Sequence, residues 1–116
     1  MAERRLIDQT MDLAVNILKH CEMIKGHYSL KNQIERSATS IGANIHEAQF
    51  AQGSRDFISK LEIALKECNE CDYWLNLLND TESISREAYQ HLISSCSELR
   101  RMLVSSVQTM KAKQQD

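Results

Sequence analysis

A chain of 116 residues has room for one hydrophobic core. With no proline, three glycines and 5% aromatic residues, it lacks the breakers and the ring content of a β-sandwich or barrel. Its charged residues, 26% of the chain, sum to −2, and an isoelectric point near 6.1 speaks against a general binder of polyanions.

The pattern predicts four helices, at about 3–25, 29–52, 55–78 and 85–112, within one domain spanning 1–116. The first has an inner seam of Leu6, Thr10, Leu13, Ile17, Cys21 and Ile24, and Gly26 suits its C-cap. The second starts near Ser29 as N-cap, with a seam of Leu30, Ile34, Ser37, Ile41, Asn44 and Ala48. Gly53 ends it and Ser54 caps the third, whose seam is Phe57, Leu61, Ala64, Cys68, Cys71, Leu75 and Leu78. Those spacings alternate four and three, the pattern of knobs-into-holes packing at a shallow crossing angle. The fourth begins near Ser85, with Ile84 and Tyr89 placed to staple its start and a seam of Ala88, Leu92, Cys96, Leu99, Leu103, Val107 and Met110. Four helices of similar length joined by short turns predict an all-α, antiparallel up-down-up-down four-helix bundle. No stretch approaches the roughly 18 apolar residues of a membrane span. Met1-Ala-Glu-Arg-Arg5 carries no apolar signal core. A cytoplasmic protein with reduced cysteines and no membrane contact is expected.

The second helix is the unusual one. Arg36, Ser37, Ser40, Asn44 and Glu47 place small and polar groups on the stripe that should face a core. A buried polar group without a partner costs roughly 1–3 kcal/mol. This face therefore implies satisfied hydrogen bonds, close approach of a neighbour, and pairing with polar residues of the third helix such as Lys60, Glu67 or Asn69. It reads as a structural polar layer, with His46 an ordinary boundary residue beside it. Apolar residues also lie off the seams: Ile7, Met11 and Leu18 on the first helix, Ile63, Trp74 and Leu77 on the third, Met102 on the fourth. Ile7, Met11, Leu18, Trp74 and Leu77 suit contacts between copies of the chain, so a homo-oligomer is expected.

Cys68-x-x-Cys71, with Cys21 and Cys96, could suggest a zinc or redox site, but all four cysteines fall on seams and read as core packing. No Glu-x-x-His occurs, which removes a di-iron bundle. No metal, cofactor or catalytic residue is expected. Arg86-x4-His91 resembles the short signature of helical ribonucleases of the HEPN superfamily, with His as acid or base and Arg on the phosphate, and is the alternative to a non-enzymatic role. Arg100, Arg101, Lys111 and Lys113 are the candidate nucleic-acid contacts, although a solvated helix C-terminus with cations favoured by the dipole is the preferred explanation of them.

The segment Arg36-Ser-Ala-Thr-Ser-Ile-Gly-Ala-Asn-Ile-His-Glu47 closely resembles the hallmark of the bacterial four helix bundle protein family, first noted as reading frames within intervening sequences of 23S ribosomal RNA genes. Asp56-Phe-Ile-Ser-Lys-Leu-Glu-Ile-Ala-Leu-Lys-Glu67, Tyr73-Trp-Leu75 and Ile84-Ser-Arg-Glu87 extend the resemblance over nearly the whole chain. His46, and the pair Gln49-Phe50, depart from the family pattern. The resemblance implies a bundle assembling into homo-oligomeric rings, in particular pentamers, with an undefined cellular role. It is distantly similar to the accessory protein of diversity-generating retroelements, a basic nucleic-acid binder whose strong positive charge this chain lacks. The expected function is thus a non-enzymatic, self-assembling accessory that binds RNA or protein.

Overall fold

The computed structural model describes residues 2–115, and the side chains of 6–114. Four helices run along a rod 50 × 21 × 20 Å: α1 Ala2–Met23, α2 Tyr28–Ala48, α3 Ser54–Asp80 and α4 Arg86–Gln115. Each packs on its neighbours in chain order and α4 closes back on α1, so the section is a square, with no close backbone approach across the diagonal among the described residues. This is an all-α, antiparallel four-helix bundle. The α2–α3 and α3–α4 faces are broad, whereas α1–α4 is the thinnest.

The turns show why the helices stop where they do. At the first, Gly26 and His27 both take left-handed backbone (φ 78° and 52°), and the Lys31 ammonium donates to the Ile24 carbonyl at 2.8 Å. The cap of α2 is therefore the backbone of His27, whose carbonyl accepts from Lys31 N–H at 2.9 Å, and not the Ser29 hydroxyl expected. At the second turn the amides of Gln49, Phe50 and Ala51 bond three residues back, tightening the chain so that α2 ends at Ala48, short of residue 52. Gly53, at φ 131°, occupies backbone open only to glycine and takes the N-cap place expected of Ser54. The third turn is a Schellman motif: Ser83 N–H reaches Leu78 carbonyl at 2.9 Å and Glu82 N–H reaches Asn79 at 3.0 Å, with Glu82 left-handed at φ 56°. Ser85 then caps α4, its hydroxyl accepting from Ala88 N–H at 3.0 Å, and Ile84 and Tyr89 pack against the core beside it.

The seam of α1 is buried from Leu6 to Cys21, and Ile24, just past the end of a helix that stops at Met23 and not near residue 25, is buried as well. On α3 the seam holds from Leu61 to Leu78, with Ile58 buried at its start and Phe57 only half-buried. On α4, Leu92 to Val107 are buried and the end positions Ala88 and Met110 half-buried. On α2 the inner stripe is Ile34, Ser37, Ala38, Ile41, Ile45 and Ala48. Asn44 and Leu30 are half-buried at its edges, because rotating the helix slightly exchanges Asn44 for Ile45 inside. Fully burying a side chain such as Ile45 favours folding by roughly 1.5–3 kcal/mol, which outweighs keeping the amide central.

Candidate functional site

The polar residues of α2 are satisfied almost where they stand. Ser37, the only one fully buried, donates to its own helix at Gln33 and Ile34 carbonyls (3.1 and 3.2 Å), and the Asn44 amide donates to Ser40 carbonyl at 2.8 Å. No central hydrogen-bond layer crosses to α3 from Ser40 or Asn44 among the described residues. The crossing happens at the rim. Arg36 spans Glu67 (3.1 Å) and Glu70 (2.7 Å) on α3, and Lys60 of α3 meets Glu47 at 3.1 Å. Hydrogen bonding to Glu67 holds the Arg36 guanidinium in its charged form more firmly still. Asn69 takes no part: it is exposed. The small residues serve close approach instead: a Cβ placed on Gly42 would lie 3.2 Å from Thr10 Oγ1 of α1, and that hydroxyl is already committed to the Ile7 carbonyl at 2.7 Å.

The off-seam apolar residues divide into two sets. On α1, Met11 is 61% exposed, Val15 and Leu18 each 38%, with Ile7 and Ala14 half-buried beside them. Ile7, Met11, Ala14 and Leu18 follow at spacings of four, three and four, so α1 carries a second seam turned outward. On α3, Trp74 packs against the core with its indole N–H enclosed and without an acceptor, its ring edge-on to Tyr73 at 4.9 Å. Leu77 is half-buried. The open apolar surface of α3 is instead Ile63 and the 60%-exposed Tyr73. Tyr73 had no seam pattern to reveal it, and Phe50, edge-on to His46, is exposed at the tip of α2.

Arg100, Arg101, Lys111 and Lys113 of α4 do not form one patch. All are exposed, but at about 100° per residue Arg100 and Lys111 share the side facing α3, Arg101 is displaced by a quarter turn and Lys113 points the other way. Lys111 is paired with Glu62 at 2.7 Å. Arg100 lies near Asp72, whose carboxyl is pushed up by burial and pulled back by that guanidinium. Arg86 and His91 are both exposed, and residues five apart sit about 140° apart on a helix, so they do not converge on one reacting centre within the chain. Neither lines the end cavity of about 260 Å³ floored by Leu6, Ile45 and Leu61, nor the cleft between Gln9, Asp12, Ser95 and Glu98.

All four cysteines are free and buried. Among the described residues no group of three or more His, Cys, Asp or Glu could hold a metal ion. The spacing of the cysteines could not show that α3 and α4 bring Cys68 and Cys96 sulfur to sulfur at 3.7 Å. A second α3–α4 link also escaped the sequence: Tyr89 hydroxyl donates to Asn76 Oδ1 at 2.6 Å, and Asn76 amide to Asp72 carbonyl at 2.8 Å.

The protein family described as 23S rRNA-intervening sequence protein matches residues 3–105. Among solved structures, the chain is similar to a crystal structure of a protein with unknown function from the S23 ribosomal protein family of Bacteroides thetaiotaomicron. The two are 41% identical with a TM-score of 0.86, over 93% of this chain and 99% of that one. No curated protein matches.

Proposed function

This chain belongs to the 23S rRNA-intervening sequence protein family, and we propose that it works as a non-enzymatic bundle that assembles with copies of itself through the outer face of α1. The supporting observation is the second apolar seam of Ile7, Met11, Ala14 and Leu18, widened by Val15 and left uncovered in the single chain. An outward seam with coiled-coil spacing is the surface another helix packs on. In a closed ring, each contact joins two different faces, and the outer side of α3, with Ile63, Tyr73, Leu77 and the edge of Trp74, is the complementary one. The ring is pentameric in this proposal, as the resemblance implies, and cytoplasmic. No helix among the described residues is long and apolar enough to cross a membrane. The assembled bundle then serves as an accessory to a protein or RNA partner.

Two other readings have less support. The phosphate contacts proposed for Arg100, Arg101, Lys111 and Lys113 start from a dispersed set, two of which already face carboxylates of α3. The ribonuclease reading of Arg86 and His91 needs a second subunit to complete any site. Light-scattering mass during size exclusion tests the assembly, with absorbance read at 260 and 280 nm. The wild type is expected at a multiple of the chain mass, and Met11→Glu with Leu18→Glu at a lower mass with unchanged helicity. A wild-type monomer, or a variant of unchanged mass, refutes the α1 interface. Excess absorbance at 260 nm that vanishes as salt rises would favour the RNA partner.

A further inference from the structure

We propose that Cys68 and Cys96 form a latent redox staple, in which a hydroperoxide oxidises the two thiols to a disulfide that ties α3 to α4 at mid-bundle. The two sulfurs stand 3.7 Å apart, and the side chains cross: each thiol also lies 3.5 Å from the carbonyl oxygen of the other cysteine. Both residues are enclosed, at 0% and 1% exposure, so neither sulfur has water as a competing partner. Core cysteines packed only as small hydrophobes have no need to meet in a pair. Cys71, one turn along α3 from Cys68, is buried as well and is the competing thiol that the test has to separate.

Hydrogen bonds from Cys68 and Cys71, aided by Arg100, draw the Cys96 thiol down against desolvation, while the same bonds and burial push Cys68 and Cys71 up. Cys96 is taken as the attacking sulfur, and the crossed geometry lets Cys68 exchange roles with it and give the same bond. The Cys96 thiolate bonds to the terminal oxygen of the hydroperoxide, the O–O bond breaks, and the departing oxygen leaves as an alcohol, or as water from hydrogen peroxide. Cys96 is then a sulfenic acid. The Cys68 sulfur attacks the Cys96 sulfur, the S–O bond breaks, and hydroxide leaves with the Cys68 proton as water. Two thiols have lost two electrons and two protons, and the hydroperoxide has accepted both. Hydrogen peroxide is small and uncharged, which suits entry to a dry core during brief opening. The bond would close the α3–α4 hairpin across 28 positions of chain, restricting the unfolded state.

The test treats the full-length reduced protein with hydrogen peroxide under native conditions, then blocks remaining thiols and maps peptides by mass. The expected result is loss of two of the four thiols, one Cys68–Cys96 link within a chain, and a urea midpoint that rises and returns on reduction. The link should persist in Cys71→Ala and Cys21→Ala and be absent in Cys68→Ala. Should Cys68→Ala fail to fold, the wild-type map decides alone. Four intact thiols, oxidation to sulfinic acid without a link, a Cys71–Cys96 or intermolecular bond, or a link formed only after unfolding would each overturn the proposal.

Discussion

Glu82→Gly should stabilise the bundle, although Glu82 makes no side-chain contact that the change would improve. The residue sits at φ 56°, the left-handed place of the Schellman turn after α3, and its amide is fixed by the Asn79 carbonyl. A side chain held there costs roughly 1–2 kcal/mol, because Cβ crowds the following carbonyl. Glycine removes that strain but widens the unfolded ensemble, which takes back roughly 0.4–1 kcal/mol. The net expectation is a gain of about 0.5–1 kcal/mol. For a chain of this length that is about 2–4 °C in the thermal midpoint, from an unfolding entropy of about 2.1 cal/mol/K per residue. Urea and thermal unfolding followed by circular dichroism at 222 nm measure it, and the m-value should not change. Gly53→Ala, at φ 131°, is the opposite control and should lose on the order of 1–3 kcal/mol. Equal or lower stability of Glu82→Gly would refute the claim that this turn carries strain.

Gly42→Ala should weaken α1–α2 packing by roughly 0.5–1 kcal/mol more in the wild type than in Thr10→Ala, where the crowding hydroxyl at 3.2 Å is gone; a double-mutant cycle in urea showing no coupling would sink this. Burial raises the Cys21 thiol to about 11 from 9.0, so the folded state holds that proton more tightly than the unfolded chain. Stability from this group is full below pH 9, declines between about 9 and 11, and should decline less in Cys21→Ala, as urea midpoints across that range would show. The Asp72 carboxyl is also raised, chiefly by desolvation, which for an acid means stability rises as pH falls through its folded pKa. Asp72→Asn should therefore be more stable than wild type at pH 7, with the difference shrinking in acid; a less stable variant at pH 7 would show that the charge is compensated. Trp74→Phe removes an enclosed N–H that has no acceptor, and its loss of volume should be offset to within about 1 kcal/mol, measured by thermal unfolding.

How far the fold could be read ahead varied with how sharply each helix separates apolar from polar. On α1 and the later part of α3 the seam keeps its spacings of three and four, and its positions are the buried ones even though Ile7, Met11, Leu18, Trp74 and Leu77 each stand one place away. On α2 two registers share Ile34, Ser37, Ile41 and Ala48, and the buried one takes Ala38 and Ile45 where the expected seam had Leu30 and Asn44. Periodicity alone weighs them equally, and desolvating the amide decides. Polar partners at the rim were accessible, since Lys60 and Glu67 stand at heptad-related positions of α3 facing α2. Trp74 is off the seam yet half-buried against the core, which periodicity alone does not reveal. The meeting of Cys68 and Cys96 depends on how α3 and α4 slide past each other. The turn at 81–85 sets that register, and no spacing within either helix records it. Caps made by backbone, as at His27 and Gly53, carry no side-chain signature.

α1 is the helix with the thinnest attachment, set against α4 by a narrow face and joined to α2 through two successive left-handed residues. Such an element opens at lower free energy than the rest, so its amides should exchange with solvent first. It is also the helix whose outer seam is proposed to bind another subunit. A partner that grips it stabilises the one segment the chain holds least firmly, and by mass action this makes the protection of α1 depend on protein concentration. Dilution would then loosen α1 before it dissociates any other part of the bundle, and the loosened helix could re-dock on a neighbouring copy.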